Sequence, residues 1–275
     1  MEINEKLNEL KKVLITYKKI IVAFSGGIDS SFLIYFASEV LGKDNVIAVT
    51  GVSETYTKEE YEFSKDFAKS LGVNQVFVNT TEFDNEDFIN NPKDRCYHCK
   101  KELYGSVIKI AEDYNIDTII DGTNYSDKGD YRPGKKAAKE YGVKSPLFDL
   151  EITKDEIRNY LKEKGFTFYD KPANPCLASR IPYGEKITSL KLNQIEKGEI
   201  FLRNSGFKIV RLRNHGNLAK IEISSKDFHL LNNEDLRDKI SGYIKSLGFT
   251  WVSVDLSGYR TGSLNEVLSE IKNKW

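Results

Sequence analysis

A glycine- and serine-rich segment near the amino terminus places the strongest constraint on how this chain folds. The segment Ser25-Gly26-Gly27-Ile28-Asp29-Ser30-Ser31 follows an apolar run over residues 19–24 and precedes a helical pattern that continues through Leu41. Glycine lets the backbone approach a ligand closely, serine hydroxyls donate hydrogen bonds, and the first turn of a helix presents unpaired N–H groups. The segment therefore predicts a phosphate-binding loop between a buried strand and a helix.

Three further apolar runs, at residues 46–52, 73–80 and 116–124, have the length and composition of buried strands, and residues 58–71 have helical periodicity. Strands that alternate with helices pair in parallel through right-handed crossovers. This part of the chain is therefore predicted to be a Rossmann-like α/β domain built on a parallel sheet. Such sheets bind ligands at the carboxyl ends of their strands, where the glycine-rich segment falls.

The pattern changes after a proline-rich stretch that reads KPANPCLASRIPYG and contains Pro172, Pro175 and Pro182. Prolines at this density interrupt regular structure, so the stretch is predicted to be an ordered functional loop or a linker. Beyond it, two helical patterns, a hairpin with the turn NHGN and a final strand predict a small α+β unit. The predicted organisation is an N-terminal domain over 1–170, a loop or linker over 171–186 and a C-terminal domain over 187–275.

Three cysteines leave four interpretations open. Cys96 and Cys99 form a CxxC pair, which is predicted to lie in a loop before a helix, and Cys176 lies in the proline-rich stretch 77 residues later. The pair is compatible with a redox disulfide, and the set is compatible with a structural zinc site or with a [4Fe–4S] cluster that leaves one iron open. Three unrelated thiols are the fourth interpretation. The spacing alone favours zinc over the cluster.

Composition and charge narrow the class of protein. Hydrophobic residues make up 40% of the 275 residues, and no apolar run reaches the roughly 18 residues of a membrane span, so a globular protein is expected. The charged N-terminus lacks the apolar core of a signal peptide, which predicts a cytoplasmic protein.

The 41 basic residues balance 41 acidic ones, which argues against a protein that wraps nucleic acid. Within residues 201–220, five basic residues and no acidic one predict a small anionic ligand or a solvated face.

The glycine-rich loop differs from two widespread phosphate-binding motifs, because it lacks the lysine of GxxxxGK[ST] and the spacing of GxGxxG. The form SGGxDS after the first strand resembles the PP-loop of ATP pyrophosphatases, which split ATP between its α and β phosphates. The resemblance implies that the loop binds ATP phosphates and that Asp29 helps to place Mg²⁺. It also implies that adenine lies near Val49–Gly51 and that Gly122 leaves room for the nucleotide.

Six motifs together resemble the LarE family of ATP-dependent sulfur transferases over nearly the whole chain. They are SGGIDSS, RCYHCKKELY, DGTN, DYRPGKKAA, NPCLASRIPYG and GYRTGSLN. The resemblance implies that the protein adenylates a carboxylate of pyridinium-3,5-biscarboxylic acid mononucleotide, releases pyrophosphate and replaces the activated oxygen with sulfur. This reaction belongs to the biosynthesis of the nickel-pincer nucleotide cofactor of lactate racemase and related enzymes.

The same resemblance implies roles for particular residues. The family has a form in which one cysteine gives up its own sulfur and a form in which three cysteines hold a [4Fe–4S] cluster that relays sulfide. Cys96, Cys99 and Cys176 match the second form, with Cys176 at the catalytic centre. Glu199 lies four residues before Arg203 on a predicted helix, a spacing that a solvated ion pair also has, and the resemblance implies that it corresponds to an acid of the family's active site. The substrate's phosphate and carboxylates would bind Arg132, Arg180, Arg211 and Arg213.

Two other functions compete with this prediction. A PP-loop tRNA thiolase would share the loop and a three-cysteine cluster, but the neutral charge and the lack of a recognisable RNA-binding module weigh against it. A non-catalytic ATP-binding module would not need three cysteines. Under the favoured prediction, the partners are the pyridinium mononucleotide, a sulfide or persulfide donor and further copies of the chain in a homo-oligomer.

Overall fold

The computed structural model describes residues 3–129, 131–172 and 174–268. These residues divide into two compact units, one built from residues 1–88 and 94–174 and the other from residues 89–93 and 175–275. The proline-rich stretch predicted over 171–186 thus contributes residues 171–174 to the first unit and its remainder to the second. No helix in the described ranges is long and apolar enough to cross a membrane.

The first unit is built on a four-stranded parallel sheet, as the alternation of strands and helices predicts. The strand order is β3-β2-β1-β4, and every neighbouring pair is parallel. The strands span Ile20–Ala23 (β1), Val46–Val52 (β2), Asn74–Asn79 (β3) and Ile119–Asp121 (β4). The α/β class predicted from the sequence is therefore confirmed.

Eight α-helices lie in the described part of this unit. They are α1 (Ile3–Tyr17), α2 (Ile28–Leu41), α3 (Lys58–Ser70), α4 (Glu86–Ile89, whose last residue falls in the second unit), α5 (Arg95–Asp113), α6 (Gly134–Glu140), α7 (Pro146–Asp149) and α8 (Lys154–Glu163). Leu7, Leu10 and Leu14 of α1 are all buried. Helical spacing puts these side chains on one face, and their burial holds α1 against the unit.

Both faces of the sheet are covered, as parallel sheets require. All four residues of β1 are buried, and they alternate between two apolar clusters. Ile20 and Val22 belong to one cluster, whereas Ile21 and Ala23 belong to the other. The central strand is therefore fixed from both sides, and the loop that follows it starts from a rigid support.

The second unit contains a three-stranded sheet of order β5-β6-β7. Its elements are α9 (Ser189–Asn204), β5 (Val210–His215), β6 (Leu218–Ile223), α10 (Glu234–Ser246) and β7 (Trp251–Val254). β5 and β6 form the predicted antiparallel hairpin, and Gly216 in its short turn has a φ of +67°, which favours glycine. β7 pairs with β6 in parallel. The α+β unit predicted after the proline-rich stretch therefore has the predicted elements.

Candidate active site

The phosphate loop connects β1 to α2 at the carboxyl end of the sheet's central strand. Gly26 has a φ of +73°, a conformation that side chains disfavour. Ser30 Oγ donates to Gly27 O at 3.0 Å and lies 3.2 Å from Ser25 Oγ. Gly27 precedes the first residue of α2 with no side-chain cap, so the start of this helix presents N–H groups without an intrahelical partner. The loop therefore has the geometry of an anion-binding site.

Two buried polar atoms beside this loop have no hydrogen-bond partner among the described residues. They are Asp29 Oδ1 and Ser31 Oγ. The other carboxylate oxygen of Asp29 lies 3.5 Å from Lys154 Nζ. Burial raises the pKa of Asp29, while Lys154 opposes that shift. Buried polar groups are normally paired, so these atoms fit a ligand that brings phosphate oxygens and a hard cation such as Mg²⁺.

Gly51 and Gly122 each allow a close approach of the backbone. A β-carbon on Gly122 would lie 2.8 Å from Ser30 N, so this glycine lets the end of β4 meet the phosphate loop. A β-carbon on Gly51 would lie 2.7 Å from Leu103 Cδ1 on α5. Both positions therefore favour glycine because of close packing, and their predicted contacts with the nucleotide stay predictions.

Cys96 and Cys99 lie within α5, whereas the sequence predicted a loop before a helix; that prediction is wrong. The helix already begins at Arg95, and the side chain of the preceding residue Asp94 makes no capping hydrogen bond, so no strong signal in the sequence marks the boundary. Cys96 is exposed and Cys99 is half-buried. Cys99 Sγ lies 4.0 Å from the buried carboxylate of Glu82.

The three cysteines are thiols in this structure. Cys176 is exposed and belongs to the second unit. Within the described ranges, no group of three or more His, Cys, Asp or Glu side chains is arranged to hold a metal ion. The chemistry of three accessible thiols nevertheless suits iron and sulfide, which bind thiolates.

Arg180 organises the loop that carries Cys176. Its side chain is fully buried, and its terminal nitrogen donates to the carbonyl oxygens of Pro175 and Cys176. The rest of the guanidinium forms a bidentate pair with Glu199, with nitrogen–oxygen distances of 2.8 and 3.0 Å. The conformation of the cysteine loop thus depends on a charge that lies in the core of the second unit.

Glu199 lies on α9 and is 2% exposed. Burial favours its neutral form, but Arg180, Arg211 and the N–H of Leu212 together hold its pKa below the ordinary value. Arg203, four residues later on the helix, lies 3.6 Å away. The sequence left open whether Glu199 is only a solvated partner of Arg203, and its burial excludes that interpretation.

The two arginines of β5 have different surroundings. Arg213 pairs with both carboxylate oxygens of Glu222 and donates to Ser179 O and Ser263 Oγ. Arg211 is also buried, and its guanidinium lies 5.2 Å from the centre of the Tyr259 ring. Burial and the nearby charge of Arg180 lower the pKa of Arg211. An anionic ligand beside Arg211 would relieve that repulsion.

Arg132, the remaining predicted substrate ligand, lies in the first unit. Its side chain is about half exposed, and its guanidinium is 2.6 Å from a carboxylate oxygen of Asp127. Asp127 in turn accepts a hydrogen bond from the N–H of Asn124. This pair fixes the start of the segment that precedes α6.

Comparison with known proteins identifies the family of the chain. The NAD synthase family model matches residues 2–95, which include the phosphate loop. The pyridinium-3,5-bisthiocarboxylic acid mononucleotide synthase of Lactiplantibacillus plantarum is 37% identical over 257 residues, which cover 92% of this chain and 91% of that relative. The chain belongs to the LarE family.

Two uncharacterized proteins match over similar lengths. An uncharacterized protein of Synechocystis sp. is 38% identical over 98% of this chain and 100% of its own length. An uncharacterized protein of Methanocaldococcus jannaschii is 34% identical over 93% of this chain and 96% of its own length. The likeness to the LarE family thus extends through both units, and the resemblance drawn from the motifs is confirmed.

Several residues that contact the predicted site residues do not stand out in the sequence. Glu222 neutralises Arg213, and the pair formed by Glu60 and Lys171 contacts the phosphate loop. Lys171 is the first residue of the proline-rich stretch that the sequence singled out, and that stretch was the only signal for it. Glu60 carries no motif of its own, because its role depends on a partner 111 residues away.

Proposed function

We propose that this protein is an ATP-dependent sulfur transferase that converts pyridinium-3,5-biscarboxylic acid mononucleotide to a thiocarboxylate. The observation that carries the proposal is the 37% identity, over 92% of the chain, with a pyridinium-3,5-bisthiocarboxylic acid mononucleotide synthase. The phosphate loop supports it, because this loop lacks the lysine of hydrolytic P-loops and offers N–H groups and hydroxyls instead.

ATP is proposed to bind at the phosphate loop. The hydroxyls of Ser25, Ser30 and Ser31 and the N–H groups at the start of α2 would donate to its phosphates. Asp29 is the proposed Mg²⁺ ligand, since one of its oxygens is buried without a hydrogen-bond partner. Gly51 and Gly122 are proposed to line the nucleotide. These groups would orient the α phosphate for attack by a substrate carboxylate, with pyrophosphate as the leaving group.

The substrate is proposed to bind through its phosphate and carboxylates to the arginines of the site. Arg211 is the strongest candidate, because its buried guanidinium lies near the charges of Arg180, Arg203 and Glu199. Arg180 and Arg213 are proposed as further contacts, and their guanidiniums are also paired with Glu199 and Glu222. Arg132 is proposed as a further contact.

A [4Fe–4S] cluster on Cys96, Cys99 and Cys176 is the proposed route for sulfur. When bound, such a cluster supplies an open iron that can carry a sulfide to the activated carboxylate. Glu199, through Arg180, would hold the backbone at Cys176 in place. The sulfur source is proposed to be free sulfide or a persulfide donor, and the protein is proposed to act in the cytoplasm as a homo-oligomer.

Product analysis tests the proposal. Purified protein is incubated with ATP, Mg²⁺, sulfide and pyridinium-3,5-biscarboxylic acid mononucleotide, and AMP, pyrophosphate and thiocarboxylate are measured. All three products are expected only when the substrate is present. A parallel reaction with tRNA replaces the pyridinium substrate. Pyrophosphate and thiolated nucleoside in that reaction, and none with the mononucleotide, would overturn the proposal in favour of a tRNA thiolase.

A further inference from the structure

Glu60 is a buried carboxylate in direct contact with the phosphate loop. It lies in the first turn of α3 and is 6% exposed. A β-carbon on Gly26 would lie 3.2 Å from Glu60 Oε2, so the loop approaches this carboxylate as closely as its backbone allows. Burial raises the pKa of Glu60, and Lys171 opposes that shift. The charge of Glu60 therefore depends on partners within the same unit.

Lys171 joins this carboxylate to the loop. Its Nζ lies 2.7 Å from Glu60 Oε2, 3.2 Å from Gly26 O and 3.7 Å from the centre of the Phe63 ring. The side chain of Asn174 also forms a hydrogen bond with Glu60. Asn174 is two residues before Cys176 in the chain. Glu60 thus ties the phosphate loop to the segment from which the cysteine loop begins.

Two backbone carbonyl groups of the phosphate loop accept hydrogen bonds from side chains. Lys171 binds the carbonyl of the Gly26–Gly27 peptide, and Tyr56 Oη donates to Ser25 O at 3.0 Å and to Glu60 O at 3.1 Å. A peptide is planar and trans, so a donor at its carbonyl orients its N–H in the opposite direction. The N–H of this peptide donates to Ser25 Oγ over a long distance of 3.4 Å. A phosphate that accepts from the same N–H would polarise the peptide and strengthen the hydrogen bond at its carbonyl.

We propose that Glu60 and Lys171 form a positioning pair that couples nucleotide binding at the phosphate loop to the order of the backbone at Lys171 and Asn174. The inference rests on the proposed function, because it requires a nucleotide at the loop. Coupling free energies are reciprocal. Nucleotide binding therefore orders the segment that leads to Cys176, and loss of the pair weakens nucleotide binding.

Hydrogen–deuterium exchange of the full chain tests the coupling, with α,β-methylene-ATP as the probe and calorimetry for its affinity. In the wild-type protein, the nucleotide is expected to slow exchange in peptides that cover residues 168–180. Lys171→Met is expected to raise the dissociation constant about tenfold or more, because it removes hydrogen bonds from a charged donor. With saturating nucleotide, hydrogen–deuterium exchange in these peptides is expected to stay fast in Lys171→Met. Lys171→Arg restores the slowing, since a guanidinium can contact both the carboxylate and the carbonyl.

Lys6→Met is the matched control. Lys6 Nζ lies 2.8 Å from Glu156 Oε1 and 2.8 Å from Glu151 O, so it makes the same two kinds of contact in the same unit. This variant should keep both the affinity and the slowing. The coupling is wrong if Lys171→Met keeps the slowing, if Lys6→Met loses it equally, or if wild-type protein binds the nucleotide without altered exchange. Absence of any nucleotide binding would overturn the proposed function together with this inference.

Discussion

The Arg180 guanidinium and the Glu199 carboxylate meet edge to edge, and both side chains are almost completely buried. The same guanidinium donates hydrogen bonds to the backbone carbonyls of Pro175 and Cys176. A buried pair of this kind contributes little net stability compared with apolar residues, but removal of one partner leaves an uncompensated charge. The pair is therefore suited to fixing the one conformation in which Cys176 is presented.

Glu199→Gln should lower the free energy of unfolding by about 3–5 kcal/mol at neutral pH, because Arg180 would stay buried without its counter-charge. Chemical denaturation followed by circular dichroism measures the change. Glu234→Gln, the same substitution at an exposed position of the second unit, should change stability by less than about 0.5 kcal/mol. Equal effects of the two substitutions would contradict the structural role given to Glu199.

The contribution of Glu199 to stability should depend on pH. Its pKa in the folded protein lies below the ordinary value of 4.5, so its stabilising effect is complete above that value and is lost as the pH falls through the folded pKa. The difference in unfolding free energy between wild-type protein and Glu199→Gln should therefore be constant near neutral pH and shrink in acid below about 4.5. A difference that grows on acidification would show that Glu199 is protonated in the folded state.

The sequence predicts the parallel sheet and the phosphate loop because both depend on short-range patterns. Apolar runs, glycines and helical spacing lie within a few residues of one another, and the segment 25–31 contains the whole loop. The ion pairs are different, because Glu199 and Arg180 are 19 residues apart and Glu60 and Lys171 are 111 residues apart. Such partners are set by packing of distant elements, for which a single sequence carries no local signal.

Asp29→Asn should abolish formation of AMP and pyrophosphate, with a loss of at least about 100-fold, while the fold stays intact. The substitution keeps the shape of the side chain and removes the charge proposed to hold Mg²⁺. Gly27→Val should act similarly. The φ of Gly27 is −71°, and a β-carbon there meets only Ser25 Oγ at 3.4 Å, so the backbone tolerates the change. Asp44→Asn, at an exposed position, is the control. Pyrophosphate release at the wild-type rate in either loop variant would refute the assignment.

Arg211→Ala should weaken binding of the pyridinium mononucleotide more than binding of ATP. The variant loses a charge-assisted contact with the substrate's phosphate, which is worth about 1.5–3 kcal/mol. Calorimetric titrations with each ligand separate the two affinities. Lys208→Ala removes an exposed cation nearby in the sequence and should leave both affinities unchanged. Equal losses for both ligands in Arg211→Ala would instead indicate a structural role or a contact with ATP.

Each of Cys96→Ala, Cys99→Ala and Cys176→Ala should prevent assembly of the proposed cluster, because two thiolates hold four irons poorly. Iron and acid-labile sulfide in anaerobically reconstituted protein measure this directly.

The route of sulfur is then decided by mass spectrometry of Cys176 after several turnovers with added sulfide. An intact residue supports relay of sulfide through the cluster. A loss of about 34 Da at Cys176, the mass of H₂S expelled when a thiol is eliminated to an alkene, would show that the cysteine itself was consumed as the sulfur donor. That result would refute the relay and leave the assignment of ATP to the phosphate loop standing, because that assignment depends on residues 25–31 and not on Cys176.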